Sequence, residues 1–247
     1  MKKINHTLSS LNQFLLIIML LTTSYAVQAE KSEETVTKAE ETKSADSKDK
    51  AKNKTKSEDI KVKISTDLAY IDVKHNGEDV RIERIQDTSN RLSNGFAKTS
   101  RPCPPFCVRP ISLGNGVQTV GEKELLKFLS TKVKAGQGIL VDARMPEWVE
   151  KGTIPGAVNI PFTILTGGID SAHTKRIIKL LGAVEKDGKW SFDNARELIL
   201  FCNGLWCGQS PRAIKSLVKI GYPSEKLFWY RGGMQAWQLL GLSTVTP

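Results

Sequence analysis

From about residue 117 to the end of the chain, short apolar runs alternate with segments of helical periodicity, and this alternation most restricts the fold. Gly138-Ile-Leu-Val-Asp142 and Glu197-Leu-Ile-Leu-Phe201 are apolar runs of the kind found in strands buried on both faces. Ala157-Val-Asn-Ile160 and Lys226-Leu-Phe-Trp229 are shorter runs of the same type. Between and after them lie the helical patterns of Gly121–Leu129, Pro146–Lys151, Thr174–Leu181, Ser210–Ile220 and Met234–Leu240. Thr119 with Glu122 predicts a capping box, and Ser210 with Pro211 a helix start. Strands and helices in alternation argue for a parallel sheet covered by helices on both faces, an α/β domain over 117–247.

The chemistry concentrates where one strand ends. Cys202 follows Phe201 directly, and the loop Asn203-Gly204-Leu205-Trp206-Cys207-Gly208-Gln209 leads to Ser210 and the next helix, with Arg212 in its first turn. Ligands in open α/β sheets bind at the carboxyl ends of strands. A cysteine there meets the free N–H groups of a helix start, which lowers a thiol pKa and favours the nucleophilic thiolate. Two glycines let loop amides turn inward around an anion, and Arg212 adds positive charge. The competing reading is an inert buried cysteine at a strand end. Cys207 either packs beneath the loop or forms a reversible pair with Cys202. Trp206 either shields the site from water or fills a gap.

Upstream, two alternating runs, Tyr70–His75 and Val80–Ile85, flank Asn76-Gly77 and predict a β-hairpin within a small module spanning 61–116. A lone hairpin is marginal, so it is expected to dock on something else. His75 beside the turn reads as a surface residue. The segment Cys103-Pro-Pro-Phe-Cys107 places two cysteines close together. A structural disulfide, a redox pair and a metal-binding pair are all compatible with that spacing. No second cysteine pair lies nearby to complete a zinc site.

The first 60 residues have a different character. Met1-Lys2-Lys3, the apolar run Phe14–Leu21 and the small-residue site Val27-Gln28-Ala29 predict a signal peptide over 1–29, cleaved after Ala29. Residues 30–60 are polar and charged with almost no large apolar side chain, and are expected to form a disordered spacer. The formal charge of the 247-residue chain is +10. Residues 1–29 carry two lysines, and 30–60 eight lysines against nine acids, so +9 belongs to 61–247. That balance favours anionic ligands. No basic helix with interleaved aromatics is present, and nucleic-acid binding is not expected.

Three segments resemble the rhodanese-like family of single-domain sulfurtransferases, over roughly Thr119 to Leu242. Val141-Asp-Ala-Arg144 is similar to its early Asp-x-Arg segment. Lys151–Pro161 is similar to its "GHIPGAxxIP" signature, with Thr153 where His is usual, and Trp229–Trp237 to its "GGxxAW" motif. The resemblance implies a parallel sheet flanked by helices, with Cys202 as the nucleophile that takes a sulfane sulfur as a persulfide. It implies a small anionic sulfur donor such as thiosulfate, a thiophilic acceptor, and neither metal nor organic cofactor. Asp142 and Arg144 match a structural pair of that pattern. The loop departs from the common C-x-x-G-x-R-S form, being longer and lacking its arginine. Gly at position 208 argues against the related C-x5-R phosphatase chemistry. Cys103-Pro-Pro-Phe-Cys107 followed by Cys-Asn-Gly-x-Trp-Cys-Gly-Gln-Ser resembles a subgroup of exported rhodanese-like proteins.

The sequence therefore predicts a periplasmic sulfurtransferase, free of the membrane after cleavage, that hands sulfur to a small acceptor or a partner protein's thiol. The alternatives are a dithiol redox protein using Cys202 and Cys207, and a non-catalytic binding module.

Overall fold

The computed structural model describes residues 60–247. The predicted signal peptide and all of the predicted spacer but Ile60 lie outside the described residues.

Five strands form the central sheet in the order β3-β9-β8-β4-β5, and every pairing is parallel. The strands are β3 (Gln118–Val120), β4 (Gly138–Asp142), β5 (Ala157–Asn159), β8 (Glu197–Phe201) and β9 (Leu227–Tyr230). Side chains along β8 alternate between two cores, as the two-residue repeat of a strand requires. Leu198 and Leu200 pack with Ile178, Ala213, Ile214 and Leu217 from α4 (Ala172–Leu180) and α5 (Gln209–Lys219). Ile199 and Phe201 pack with Leu125, Leu126, Met234 and Trp237 from α1 (Glu122–Phe128) and α6 (Gly233–Leu239). Both faces of the sheet are thus covered, and the fold is an α/β arrangement of a parallel sheet flanked by helices.

The hairpin, β1 (Tyr70–His75) and β2 (Glu78–Glu83), is antiparallel, and its Val73 and Ile82 belong to the second core. His75 does not simply face solvent: its Nδ1 accepts from the Gly156 N–H at 3.2 Å and helps hold the hairpin against the domain. Residues 60–116 and 117–247 therefore share a core. Ile60, placed at the end of the predicted spacer, is buried.

Several local expectations need correction. The N-cap of α1 is Gly121, and Glu124 supplies only the return half of a capping box, its Oε2 accepting from the Gly121 N–H at 3.1 Å. Thr119 is instead in β3 and donates to the Ile111 carbonyl. Helix α5 begins at Gln209 after Gly208, and Ser210 is fully buried, so it serves the site rather than the cap. A second hairpin, β6 (Val184–Lys186) and β7 (Lys189–Ser191), was not expected from the sequence. Its turn holds Asp187 and Gly188 at positive φ, a recognisable hairpin signal. Two short helices lie close to the site, α2 (Pro146–Val149) and α3 (Phe162–Leu165).

Candidate active site

Strand β4 leads towards β5 on one side of the sheet, and β8 leads towards β9 on the other. Loops leaving β4 and β8 therefore diverge and open a crevice at the strands' carboxyl ends. Cys202 begins the loop after β8 and is only 3% exposed. The loop turns tightly, with the Cys207 N–H donating to the Gly204 carbonyl at 2.9 Å. Helix α6 locks it from behind: the Met234 and Gln235 N–H groups donate to the Cys202 and Asn203 carbonyls at 3.0 and 2.9 Å. Only glycine fits at 233, because a Cβ there would lie 2.4 Å from the Cys202 carbonyl oxygen and φ is +57°.

A buried ion pair underlies the loop. The Arg144 Nε donates to Asp142 Oδ1 at 2.9 Å, and both side chains are 1% exposed. The remaining Arg144 donors reach the Trp148 and Gly152 carbonyls and Asn203 Oδ1. Thr153 donates its hydroxyl to Asp142 Oδ2 at 2.7 Å, which gives the departure from His at this position a structural role. Every charge in the cluster is met by a hydrogen bond, the condition under which a buried pair is tolerated. The pair holds the loop in place and does not line the cavity.

The two loop thiols occupy different environments. Cys202 lies beneath, where its Sγ accepts from Ser210 Oγ at 3.1 Å, and Ser210 Oγ itself accepts from Trp229 Nε1 at 3.1 Å. Burial, followed by the adjacent Cys207, pushes the Cys202 thiol well up. Cys207 is brought down to about 7, first by a side-chain hydrogen bond from Cys202 and then, against burial, by the Gln209 and Asn203 amides and the Arg144 charge. The sequence placed the lowered pKa on Cys202. In the structure desolvation at the strand end pushes Cys202 up despite the hydrogen bonds from Ser210, and Cys207 is the thiol brought down.

A cavity of about 250 Å3 opens over the loop. It is lined by Asn203, Trp206, Cys207, Gly208, Gln209 and Arg212 from the predicted loop, joined by Trp148 and Phe162. Cys202, Gly204, Leu205 and Ser210 do not line it; Leu205 is turned outward. The remaining wall comes from Pro105, Phe106 and Arg109, a hundred residues upstream. These belong to a strap, residues 101–110, in which the Cys103 and Cys107 sulfurs are bonded with their Cα atoms 4.6 Å apart. Phe106 meets Trp206 edge to face at 5.2 Å, and the Arg101 guanidinium lies 4.5 Å from the Trp206 ring. Trp206 Nε1 donates to Gln235 Oε1 at 2.9 Å, so the ring is part of the cavity wall. Nothing in the local pattern of the strap linked it to Cys207; its basic and aromatic side chains beside a cysteine pair were the available signal. Among the described residues no group of three or more His, Cys, Asp or Glu gathers as a metal would require.

Residues 123–240 match the family described as Rhodanese-like domain. An HTH-type transcriptional regulator of Mycobacterium tuberculosis is 29% identical over 130 residues, 53% of this chain and 46% of its own length. The chain thus spans about half the length of that relative. Among solved structures, a Rhodopseudomonas palustris protein described as a possible tyrosine phosphatase is 23% identical, with a TM-score of 0.38. That match covers 52% of this chain and 85% of the other. A human single-domain sulfurtransferase is 25% identical with a TM-score of 0.35, covering 50% of this chain and 96% of its own.

Proposed function

We propose that the chain is an exported sulfurtransferase whose rhodanese-like domain moves sulfane sulfur through the Cys202/Cys207 pair. One observation supports this above the others. Cys207, whose neighbours favour the thiolate, lines a cavity with two arginines, Arg109 and Arg212, and no carboxylate in its lining. Such a cavity favours a small anion carrying an electrophilic sulfur. The Cys207 thiolate attacks the outer sulfur of a donor such as thiosulfate. A new S–S bond forms, the donor's S–S bond breaks, and sulfite departs with the electron pair. The Asn203 and Gln209 amides favour the anionic sulfur before and after this step. A thiophilic acceptor then takes the outer sulfur of the persulfide, and the Cys207 thiolate returns.

The family resemblance implies a persulfide on Cys202; Cys207 is proposed to receive the sulfur instead, because Cys207 lines the cavity and Cys202 lies beneath it. The presence of two free, buried cysteines in one loop, each shifting the other's thiol, also favours a second reading, a dithiol that closes to a disulfide with a disulfide-bearing partner as oxidant.

Intact mass of the reduced full chain after incubation with thiosulfate tests both. The expected result is the gain of one sulfur atom, removable by cyanide, retained in Cys202→Ser and lost in Cys207→Ser. Sulfur retained in Cys207→Ser and lost in Cys202→Ser would return the persulfide to Cys202. No sulfur gain, with loss of two hydrogens under mild oxidant, would favour the dithiol. Export rests on residues 1–29, and a mature N-terminus at Glu30 in the periplasmic fraction of a Gram-negative host checks it.

A further inference from the structure

The strap supplies a charge that the loop lacks. Six residues after Cys202 the chain has Gly208, and that missing side chain admits another residue. A Cβ on Gly208 would lie 2.8 Å from Nη2 of Arg109, so the guanidinium rests directly against the loop backbone beside Cys207. Its Nε is buried without a hydrogen-bond partner, although a buried guanidinium nitrogen ordinarily has one. Arg109 lines the cavity, and no carboxylate among the described residues forms an ion pair with it.

The backbone around Arg109 is fixed. Its N–H donates to the Leu205 carbonyl of the loop at 2.9 Å, and its carbonyl accepts from Arg231 Nη2. Arg231 Nε donates to the next carbonyl, that of Pro110, at 2.9 Å. On the other side, the Cys103–Cys107 bond closes the strap and Phe106 packs on Trp206. The guanidinium is thus delivered to the loop by backbone bonds that do not use its own donors. Arg212 approaches the same cavity from the first turn of α5, its guanidinium carbon 5.8 Å from the Phe162 ring.

We infer that Arg109 is a specificity-determining residue: with Arg212 it binds the oxyanion end of a small sulfur donor of the thiosulfate or thiosulfonate class and holds its outer sulfur over Cys207. Planar guanidinium donors match such oxyanions, and the unpartnered Nε is one of the donors the anion would occupy. The naming of the donor rests on the sulfurtransferase reading; the anion site itself does not.

Alkylation separates the two. In the full chain carrying Cys202→Ser, with Cys103 and Cys107 left oxidised, Cys207 is the single free thiol. Its rate with iodoacetate, an anion, is compared with its rate with neutral iodoacetamide at pH 8 and low salt. The ratio cancels any change in thiolate population. Arg109→Gln is expected to lower that ratio about three- to tenfold, the scale of one lost charge-assisted contact at a partly exposed site. Arg109→Lys is expected to recover part of the loss, which separates charge from folding. Sulfate is expected to slow iodoacetate in the Arg109 protein and much less in Arg109→Gln. An unchanged ratio in Arg109→Gln would overturn the inference, as would a ratio that falls equally in Arg109→Lys and Arg109→Gln. If the ratio falls as expected but thiosulfate loads no sulfur, the anion site stands and the transfer reading fails.

Discussion

Removing Cys202 should weaken Cys207 near neutral pH, and the size of the effect follows from the geometry. Cys207 is lowered from 9.0 to about 7, and the hydrogen bond from Cys202 is the largest cause. At pH 7 about half of such a thiol is thiolate, against about 1% of an ordinary one, a ratio of roughly fifty. A lower pKa also makes each thiolate less nucleophilic, by about eightfold over this interval. The net advantage at pH 7 is therefore about sixfold. Cys202→Ala, which removes the donor, is expected to forfeit up to about that factor in iodoacetamide alkylation at pH 7. Cys202→Ser keeps a donor hydroxyl and should lose less. The sign reverses at high pH. Well above pH 9 Cys207 is ionised in both proteins, and the more basic Cys207 of Cys202→Ala reacts faster. The assay is the second-order alkylation rate from pH 5 to 10, with the modified residue mapped by peptide mass. In the native chain the rate should rise through a midpoint near pH 7 and level off. A midpoint near 9, or alkylation of Cys202 ahead of Cys207, would refute the division of labour between the two thiols.

The ion pair beneath the loop yields a stability prediction. Asp142→Ala leaves Arg144 charged, buried and stripped of its principal acceptor, and is expected to cost about 3–5 kcal/mol in urea unfolding. In a domain of this size that lowers Tm by roughly 6–20 °C. Asp142→Leu with Arg144→Met should cost less than Asp142→Ala alone, and a double variant that is worse would contradict the desolvation argument. The strap bond closes a loop with a separation of only four residues, so Cys103→Ala with Cys107→Ala should cost no more than about 2 kcal/mol by chain entropy. The same double variant should change Trp206 fluorescence, because Phe106 is then less firmly held against it.

Much of the scaffold is legible in the amino-acid sequence because its signals are local. The apolar runs of β4 and β8 announce burial on both faces, and Asn76-Gly77 marks the turn between β1 and β2. The end of β8 marks the loop that borders the cavity, since a strand that ends in a parallel sheet places the following loop at the crevice. Each of these follows from side-chain period or turn chemistry within a few residues. The tertiary structure alone decided which thiol meets the cavity. Cys202 and Cys207 are five residues apart, and their environments differ through burial and neighbours such as Ser210, Asn203 and Arg144. It also decided that Ser210 serves Cys202 instead of capping α5, and that the hairpin shares a core with α1 and α6. Arg109 is the clearest case. Its place beside Gly208 depends on a closed strap, on Arg231 and on an aromatic contact with Trp206, from segments about a hundred residues apart. Periodicity reports which residues are buried; the charge and access of a cavity depend on side chains brought together from distant segments.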